Sequence, residues 1–406
     1  MNNKIRQLFP FFNHQKNLIY LDSAGTNLKP NIVIQAINNY YKKYSINSHS
    51  ESNNPLFSEV QKIVQQTREI IAQRIKAKSE EIFFLPSATY SLNLLTLSLK
   101  NFLKKDDLIF LTHLEHSSNC YPWQSIAQEK KAQVDFLPLD DNFIIDVNIL
   151  DKYIDKKVKI VSFFHLSNSL GVINPVKEIT QKIKKINPNC LVIVDACQSI
   201  ARLPINVQEW DIDALVFSGH KIYGPTGIGV LWIRKELAKK LPDILWGGGK
   251  KNAPNQKIDS DLLLAQKFEV GTLPLAQIFG LQKSFEFLNS LDIQETSGYE
   301  KKLKNYALQE LGKLKKVIIY NKNLASVGII LFNLESFHAH DVADYLGRNN
   351  ICVRAGNFCC PYLKEVIGVE SAIRISFSIY NTKKDINKLI FFLKELIKSP
   401  NLLLFF

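Results

Sequence analysis

Two apolar runs in this chain each end on a residue able to do chemistry. Leu191-Val192-Ile193-Val194 runs into Asp195, and Ala214-Leu215-Val216-Phe217 runs into Ser218-Gly219-His220-Lys221. Such runs read as buried strands, and in open α/β sheets ligands gather at the carboxyl ends of strands. An acid and an amine from neighbouring strand ends then face one crevice. A lysine in a closed site can form a Schiff base with an aldehyde cofactor. An anion against the ring nitrogen of pyridoxal 5'-phosphate keeps that ring protonated and makes it an electron sink. Asp195 and Lys221 suit those two roles. Read alone, Asp195 is an ordinary helix cap and Lys221 a surface lysine; the sequence around them separates the readings.

That surrounding sequence, VDACQ followed by FSGHKIYGPTGIG, resembles the fold-type I pyridoxal-phosphate enzymes of the class V aminotransferase group. Within the group it is most similar to the cysteine desulfurases and selenocysteine lyases of the sulfur-mobilisation branch. The likeness runs from about Tyr20 to about Thr382. It implies that Lys221 carries the cofactor, that Asp195 faces the ring nitrogen and Gln198 the phenolic oxygen, and that Ser218 and His220 hold the phosphate. Pro86-Ser87-Ala88-Thr89 resembles the family's small-residue phosphate cup, with Ala88 and Thr89 at a helix start, where free N–H groups and the helix dipole favour an anion. Glu115-His116-Ser117-Ser118-Asn119 matches E-H-x-x-N, which makes His116 the histidine flat over the ring. His165-Leu166-Ser167-Asn168-Ser169-Leu170-Gly171 matches H-x-S-N-x-L-G, which assigns Asn168 to substrate or cofactor. Phe268-Glu269-Val270-Gly271-Thr272 matches F-E-x-G-T, a turn that in the family reaches the other subunit's phosphate; Thr272 therefore implies a homodimer with shared sites. LDSAGT, from Leu21, resembles the family's entry to the active site, and His49 is the one match in the family's substrate loop.

A second reactive stretch is Arg354-Ala355-Gly356-Asn357-Phe358-Cys359-Cys360-Pro361. A glycine-bearing loop that presents a thiol fits a nucleophile that must approach a bound substrate. R-x-G-x-x-C in the desulfurases assigns Cys359 to attack on the substrate sulfur, which it keeps as a persulfide. The usual His-His before that cysteine is Asn-Phe here, as in the related molybdenum-cofactor sulfurases, and Cys360 is an extra thiol. Arg374 matches the arginine that grips the substrate carboxylate; a planar guanidinium offers two parallel hydrogen bonds to such a group. Arg354 is grouped with Asn168 and Arg374 as a substrate contact.

The elements that must position these residues alternate. Strands are expected at Leu18–Leu21, Glu81–Leu85, Leu108–Leu111, Val134–Leu137 and Val158–Phe163. Helical patterns lie at Pro30–Tyr44, Phe57–Lys76 and Tyr90–Leu99. Strands separated by helices imply parallel βαβ units. The expected fold is α/β: a large, doubly wound, mainly parallel pyridoxal-phosphate domain over residues 18–291, with a small α+β domain from 1–17 and 292–406. The long helix Pro274–Leu291 ends the first. Charged helix from Ile293, strands at Val317–Tyr320, Val327–Phe332, Ile351–Val353 and Ile373–Phe377, and helices near His340–Arg348 and Lys383–Ile397 build the second. The polar stretch from Trp246 to about Ala265 has the length of a mobile cover.

Composition narrows the partners. Lys and Arg exceed Asp and Glu, 51 against 38, for a net charge of +13, without blocks of like charge. This reads as a solvated basic surface or a docking face for an acidic protein, and no arginine-rich stripe or motif points to nucleic acid. Six cysteines without a C-x-x-C pair weigh against the common zinc and dithiol motifs and fit a reducing cytoplasm. No metal site is expected. Neither a signal segment nor an apolar run long enough to span a membrane is evident. The glycines near Lys221 do not form a dinucleotide fingerprint.

The expected activity is therefore that of a pyridoxal-phosphate cysteine desulfurase, a sulfurtransferase that converts L-cysteine to L-alanine. The sulfur, held as a persulfide, passes to an acceptor protein for iron–sulfur cluster or other cofactor assembly. The alternatives are a selenocysteine lyase acting on L-selenocysteine, a molybdenum-cofactor sulfurase-like or other class V activity, and, from a different class, a non-catalytic scaffold. Cys359 argues against simple transamination, which needs no thiol, and the intact Lys221, Asp195 and Arg374 argue against a scaffold.

Overall fold

The computed structural model describes residues 2–47, 54–248 and 264–403. Among the described residues thirteen strands follow one another: β1 (Ile19–Tyr20), β2 (Ile82–Leu85), β3 (Leu108–Leu111), β4 (Gln133–Phe136), β5 (Val158–Phe164), β6 (Leu191–Asp195), β7 (Ala214–Ser218), β8 (Gly229–Ile233), β9 (Val317–Ile319), β10 (Ile329–Leu334), β11 (Ile351–Cys352), β12 (Arg354–Gly356) and β13 (Ala372–Ser376). Seven form one sheet in the order β2-β8-β7-β6-β5-β3-β4. β3 through β7 pair in parallel, and β8 runs against both its neighbours. The central strands β6 and β7 are buried almost throughout, so their continuous apolar sequence has the pattern of a sheet covered on both faces.

The sequence reading did not include β8. Its run, Gly229-Val230-Leu231-Trp232-Ile233, follows a glycine-rich turn and does not alternate in polarity, because all five residues are buried. Its antiparallel course lets it close the sheet beside β2. Gly229 has a steric reason. A Cβ there would lie 2.5 to 2.8 Å from the backbone of Ser87 and Ala88. The start of the helix Ala88–Leu99 thus packs directly on β8.

A second sheet, β12-β13-β10-β9, is antiparallel throughout. Its core includes Ile330, Phe332, Ile373 and Ile375, with Leu303, Ala307 and Leu311 from the helix Ile293–Leu311 and Leu389 and Leu393 from the helix Lys383–Lys398. The helix Leu275–Asn289 packs instead with the first core. The N-terminal residues serve both. Phe9 is buried in the first core against Tyr223, Phe287 and Tyr380. Ile19 and Leu21 belong to the second, and β1 pairs in parallel with β11. The buried ion pair Arg202–Glu300, at 2.9 Å, ties the loop after β6 to the helix Ile293–Leu311.

His49 and residues 249–263 of the expected cover lie outside the described residues. No helix among the described residues is long and apolar enough to cross a membrane.

Gly229→Ala should cost about 1–3 kcal/mol, the usual range for forcing a methyl group into a packed site. Urea unfolding of the two proteins measures it. Equal midpoints would show that the helix start is free to lift from β8.

Candidate active site

The parallel strands deliver their carboxyl ends to one edge of the large sheet, and the loops there surround a cavity of about 260 Å³. The second sheet closes it from the other side. Ser87, Ala88 and Thr89 follow β2; His116 and Ser118 follow β3; Asn168 follows β5; Asp195 and Cys197 come from β6; Ser218, His220 and Lys221 come from β7. Arg354, Phe358, Cys359 and Arg374 are contributed by the small sheet and its loop.

One end of the cavity is built for an anion. Ser87 caps the helix Ala88–Leu99 by accepting from the Tyr90 N–H at 3.1 Å, and Ser218 Oγ accepts from the Ala88 N–H at 2.9 Å. The Ser218 hydroxyl hydrogen then has to find another acceptor. Thr89 Oγ1 lies 2.7 Å from Ser118 Oγ, which lies 3.0 Å from His116 Nδ1. Hydroxyls and a helix N-terminus, with His220 beside them, form the donor set that a phosphate requires.

The other groups hold charge and proton positions. Asp195 is 8% exposed, and its Oδ1 accepts from the Cys197 N–H at 2.8 Å. Burial, and then the Asp195 charge, push the Cys197 thiol pKa up. His116 accepts from the Ser118 N–H at Nδ1, at 3.1 Å. In its neutral form the ring proton therefore sits on Nε2. Burial, and then the Lys221 charge, hold the His116 pKa down to about 4, so the ring is neutral near pH 7. His220 is held down to about 4, by burial first and then by Lys221 and Lys29.

The thiol loop is held in an unusual shape. Phe358 and Cys359 both lie in the left-handed region, at φ 58° and 57°, where a side chain is strained. Two bonds from the large sheet's loops retain them. Asn168 Nδ2 donates to Phe358 O at 2.9 Å, and the Ser117 N–H donates to Cys359 O at 2.7 Å. Arg354 Nη2 donates to Cys359 Sγ at 3.5 Å. Cys360 turns away. It is fully buried, its thiol donates to His113 O at 3.4 Å, and burial pushes its pKa up. The two neighbouring thiols thus face different surroundings, through a left-handed turn rather than the alternation of an extended loop.

Of the residues expected from sequence, Ala88, Thr89, His116, Asn168, Asp195, Ser218, His220, Lys221, Arg354, Cys359 and Arg374 share this cavity. Gln198 does not line it; its amide is buried and donates to Ala24 O at 2.7 Å. Thr272 is exposed and outside it. Sequence reasoning gave no role to Cys197, Ser118 and Phe358 on the wall, and none to Asp22 behind it beyond its place in LDSAGT. Cys197 and Ser118 stand within two residues of predicted site residues, and that closeness was the available signal.

Residues 19–389 match the family model of class-V aminotransferases. The chain is 38% identical to a probable cysteine desulfurase of Ureaplasma parvum over 98% of this chain and 99% of that protein. It superposes with a TM-score of 0.90, at 32% identity, on the apo structure of a cysteine desulfurase from Thermococcus onnurineus, covering 98% of each chain. A cysteine desulfurase of Escherichia coli, solved in an S-sulfonic acid form, gives a TM-score of 0.88 at 29% identity over 97% of this chain and 98% of that one.

A buried histidine at the site's edge offers a pH test. His165 is 5% exposed, packs edge-on against Trp210, and burial holds its pKa down to about 4. Below about pH 6.5 the unfolded chain takes up a proton that the folded ring refuses. Wild-type stability should therefore fall relative to His165→Asn as pH drops from 6.5 to 4, by at most about 1.4 kcal/mol per pH unit. Denaturation midpoints across that window test this, and parallel curves would clear His165 of the effect.

Proposed function

The chain belongs to the class-V aminotransferase family, and we propose that it is a pyridoxal-phosphate enzyme that removes sulfur from L-cysteine. The observation that carries this reading is the meeting of Lys221, Asp195 and Cys359, from two separate sheets, on one cavity wall that also holds Arg374. A cofactor-dependent transaminase needs the first two residues and has no use for the third.

The residues present fit the cofactor. The hydroxyls and helix start at residues 87–89, with Ser218 and His220, suit its phosphate. Asp195 suits a ring nitrogen that must stay protonated, and Lys221 suits its aldehyde. When bound, pyridoxal phosphate supplies a carbonyl for covalent capture of an amine and a ring that withdraws electrons from the adjoining carbon.

The chain's own groups do the rest. Arg374 and Asn168 bind and orient the substrate carboxylate. Lys221 Nζ would take the proton from the α-carbon and return it. His116 keeps its one proton at Nε2, because Nδ1 is taken by the Ser118 N–H. Cys359 Sγ attacks the substrate sulfur. An S–S bond forms as the C–S bond breaks, the electron pair leaves with carbon, and protonation there yields L-alanine. Arg354 aims the sulfur through its hydrogen bond. The persulfide then awaits an acceptor protein. Thr272, exposed here, is the contribution expected to a partner subunit's phosphate site in a homodimer.

Incubation with L-cysteine and a reductant should give alanine and sulfide in equal amounts. Cys359→Ser should keep the bound cofactor's absorbance yet lose both products and the extra sulfur seen by mass spectrometry. Cys360→Ser should keep most activity. Sulfur on Cys360, or an active Cys359→Ser, would overturn the assignment of the nucleophile.

A further inference from the structure

Arg374 is the most deeply buried cation on the cavity wall, with 1% of its side chain exposed. Its guanidinium is held by two acceptors from distant segments. Nη2 donates to Asp22 Oδ1 at 2.6 Å, and Nη1 donates to Asn168 O at 2.9 Å. The Phe358 ring lies beside it, 5.0 Å from Cζ to the ring centroid. Nε is buried and has no hydrogen-bond partner. A guanidinium carries five N–H groups, so the two bonds to protein leave three, the buried Nε–H among them. Arg374 lines the cavity together with Ala24 and Gly25, whereas Asp22 does not.

Asp22 reaches the arginine because of the turn that follows it. Its carbonyl accepts from the N–H groups of Gly25 and Thr26, at 3.0 and 3.3 Å. The Tyr20 hydroxyl closes the same turn on Thr26 O at 2.8 Å. Ala24 N–H donates to Ser376 Oγ at 2.9 Å, which pins the turn to β13, the strand that bears Arg374. The Asp22 carboxylate folds back over Gly25. A Cβ at residue 25 would lie 2.5 Å from Asp22 Oδ2 and 3.0 Å from both Cγ and Oδ1. A larger residue there would make the Asp22 carboxylate shift.

We propose that Asp22, seated by Gly25, is a positioning residue that aims the Arg374 guanidinium and so makes the site selective for substrates bearing a carboxylate. This rests on the reading that Arg374 takes the substrate carboxylate. Charge-assisted bonds hold an orientation that a flexible side chain would otherwise lose entropy to adopt. The three uncommitted N–H groups let a ligand carboxylate bind without displacing Asp22. Asp22 therefore supports the incoming group rather than competing with it.

The test uses cofactor-loaded Asp22→Ala, Asp22→Asn and Gly25→Ala. Binding of L-alanine is compared with that of ethylamine, which lacks the carboxylate, by calorimetry, and KM and kcat are measured with L-cysteine. Asp22→Ala should weaken L-alanine by about 10- to 100-fold, the usual effect of losing a hydrogen bond to a charged group. KM for L-cysteine should rise similarly with little change in kcat, and ethylamine should bind as to wild type. Asp22→Asn keeps an acceptor oxygen and should fall between, and Gly25→Ala should follow Asp22→Ala. Tighter L-alanine binding would make Asp22 a rival of the substrate and overturn the proposal. So would unchanged binding, or equal losses for L-alanine and ethylamine with a lowered melting temperature. If wild type binds L-alanine but releases no sulfide from L-cysteine, the desulfurase reading fails while the binding comparison still decides the role of Asp22.

Discussion

The loop that carries Cys359 is held by groups that belong to the other sheet. Ser117 and Asn168, which follow β3 and β5, bond to the carbonyls of Cys359 and Phe358, and those two residues sit in a backbone region that costs energy to occupy. Neither bond exists unless the small sheet is docked on the strand ends of the large one. The docked arrangement in turn buries Arg374, Phe358 and Cys360. A site divided this way is complete only in the packed molecule. That is why its floor is a rigid parallel sheet and its ceiling a second sheet with its own core.

Much of this was legible in sequence, for a physical reason. A buried parallel strand announces itself as an apolar run, and its carboxyl end is where a ligand can be reached. Asp195 and Lys221 could thus be placed at neighbouring strand ends, whereas His116 and Asn168 were legible only through their resemblance to family motifs. The strand β8 escaped because a fully buried five-residue run beside glycines has no periodicity to betray its direction. The Asp22–Arg374 pair escaped because the two residues are 352 positions apart, and no local rule links them. The left-handed Phe358 and Cys359 escaped too. Such conformations are read from glycine or asparagine, and here neighbouring hydrogen bonds impose the shape on an aromatic residue and a cysteine. The Gln198 amide, matched within VDACQ, donates to Ala24 O, a contact 174 positions away that no local pattern announces.

Behind the cavity, a buried acid does structural work that the motif does not explain. Glu115 is fully buried, and burial pushes its carboxyl up to about 8 although Thr112, Asn119 and the Phe164 N–H all donate to it. Asn119 passes the network on, accepting from Trp123 Nε1 at 3.1 Å and Ser162 Oγ at 2.6 Å. These bonds cross from the loop after β3 to β5 and to the helix Tyr121–Lys130. They fix the segment that carries both His116 and Ser117. A buried polar network is costly unless its members are satisfied, and then it specifies one arrangement. One rigid segment thus sets the ring that faces the cavity and the N–H that restrains the thiol loop. The placements of His116 and of the Cys359 loop are mechanically a single problem, solved by the side chains of Thr112, Glu115, Asn119 and Ser162, none of which lines the cavity.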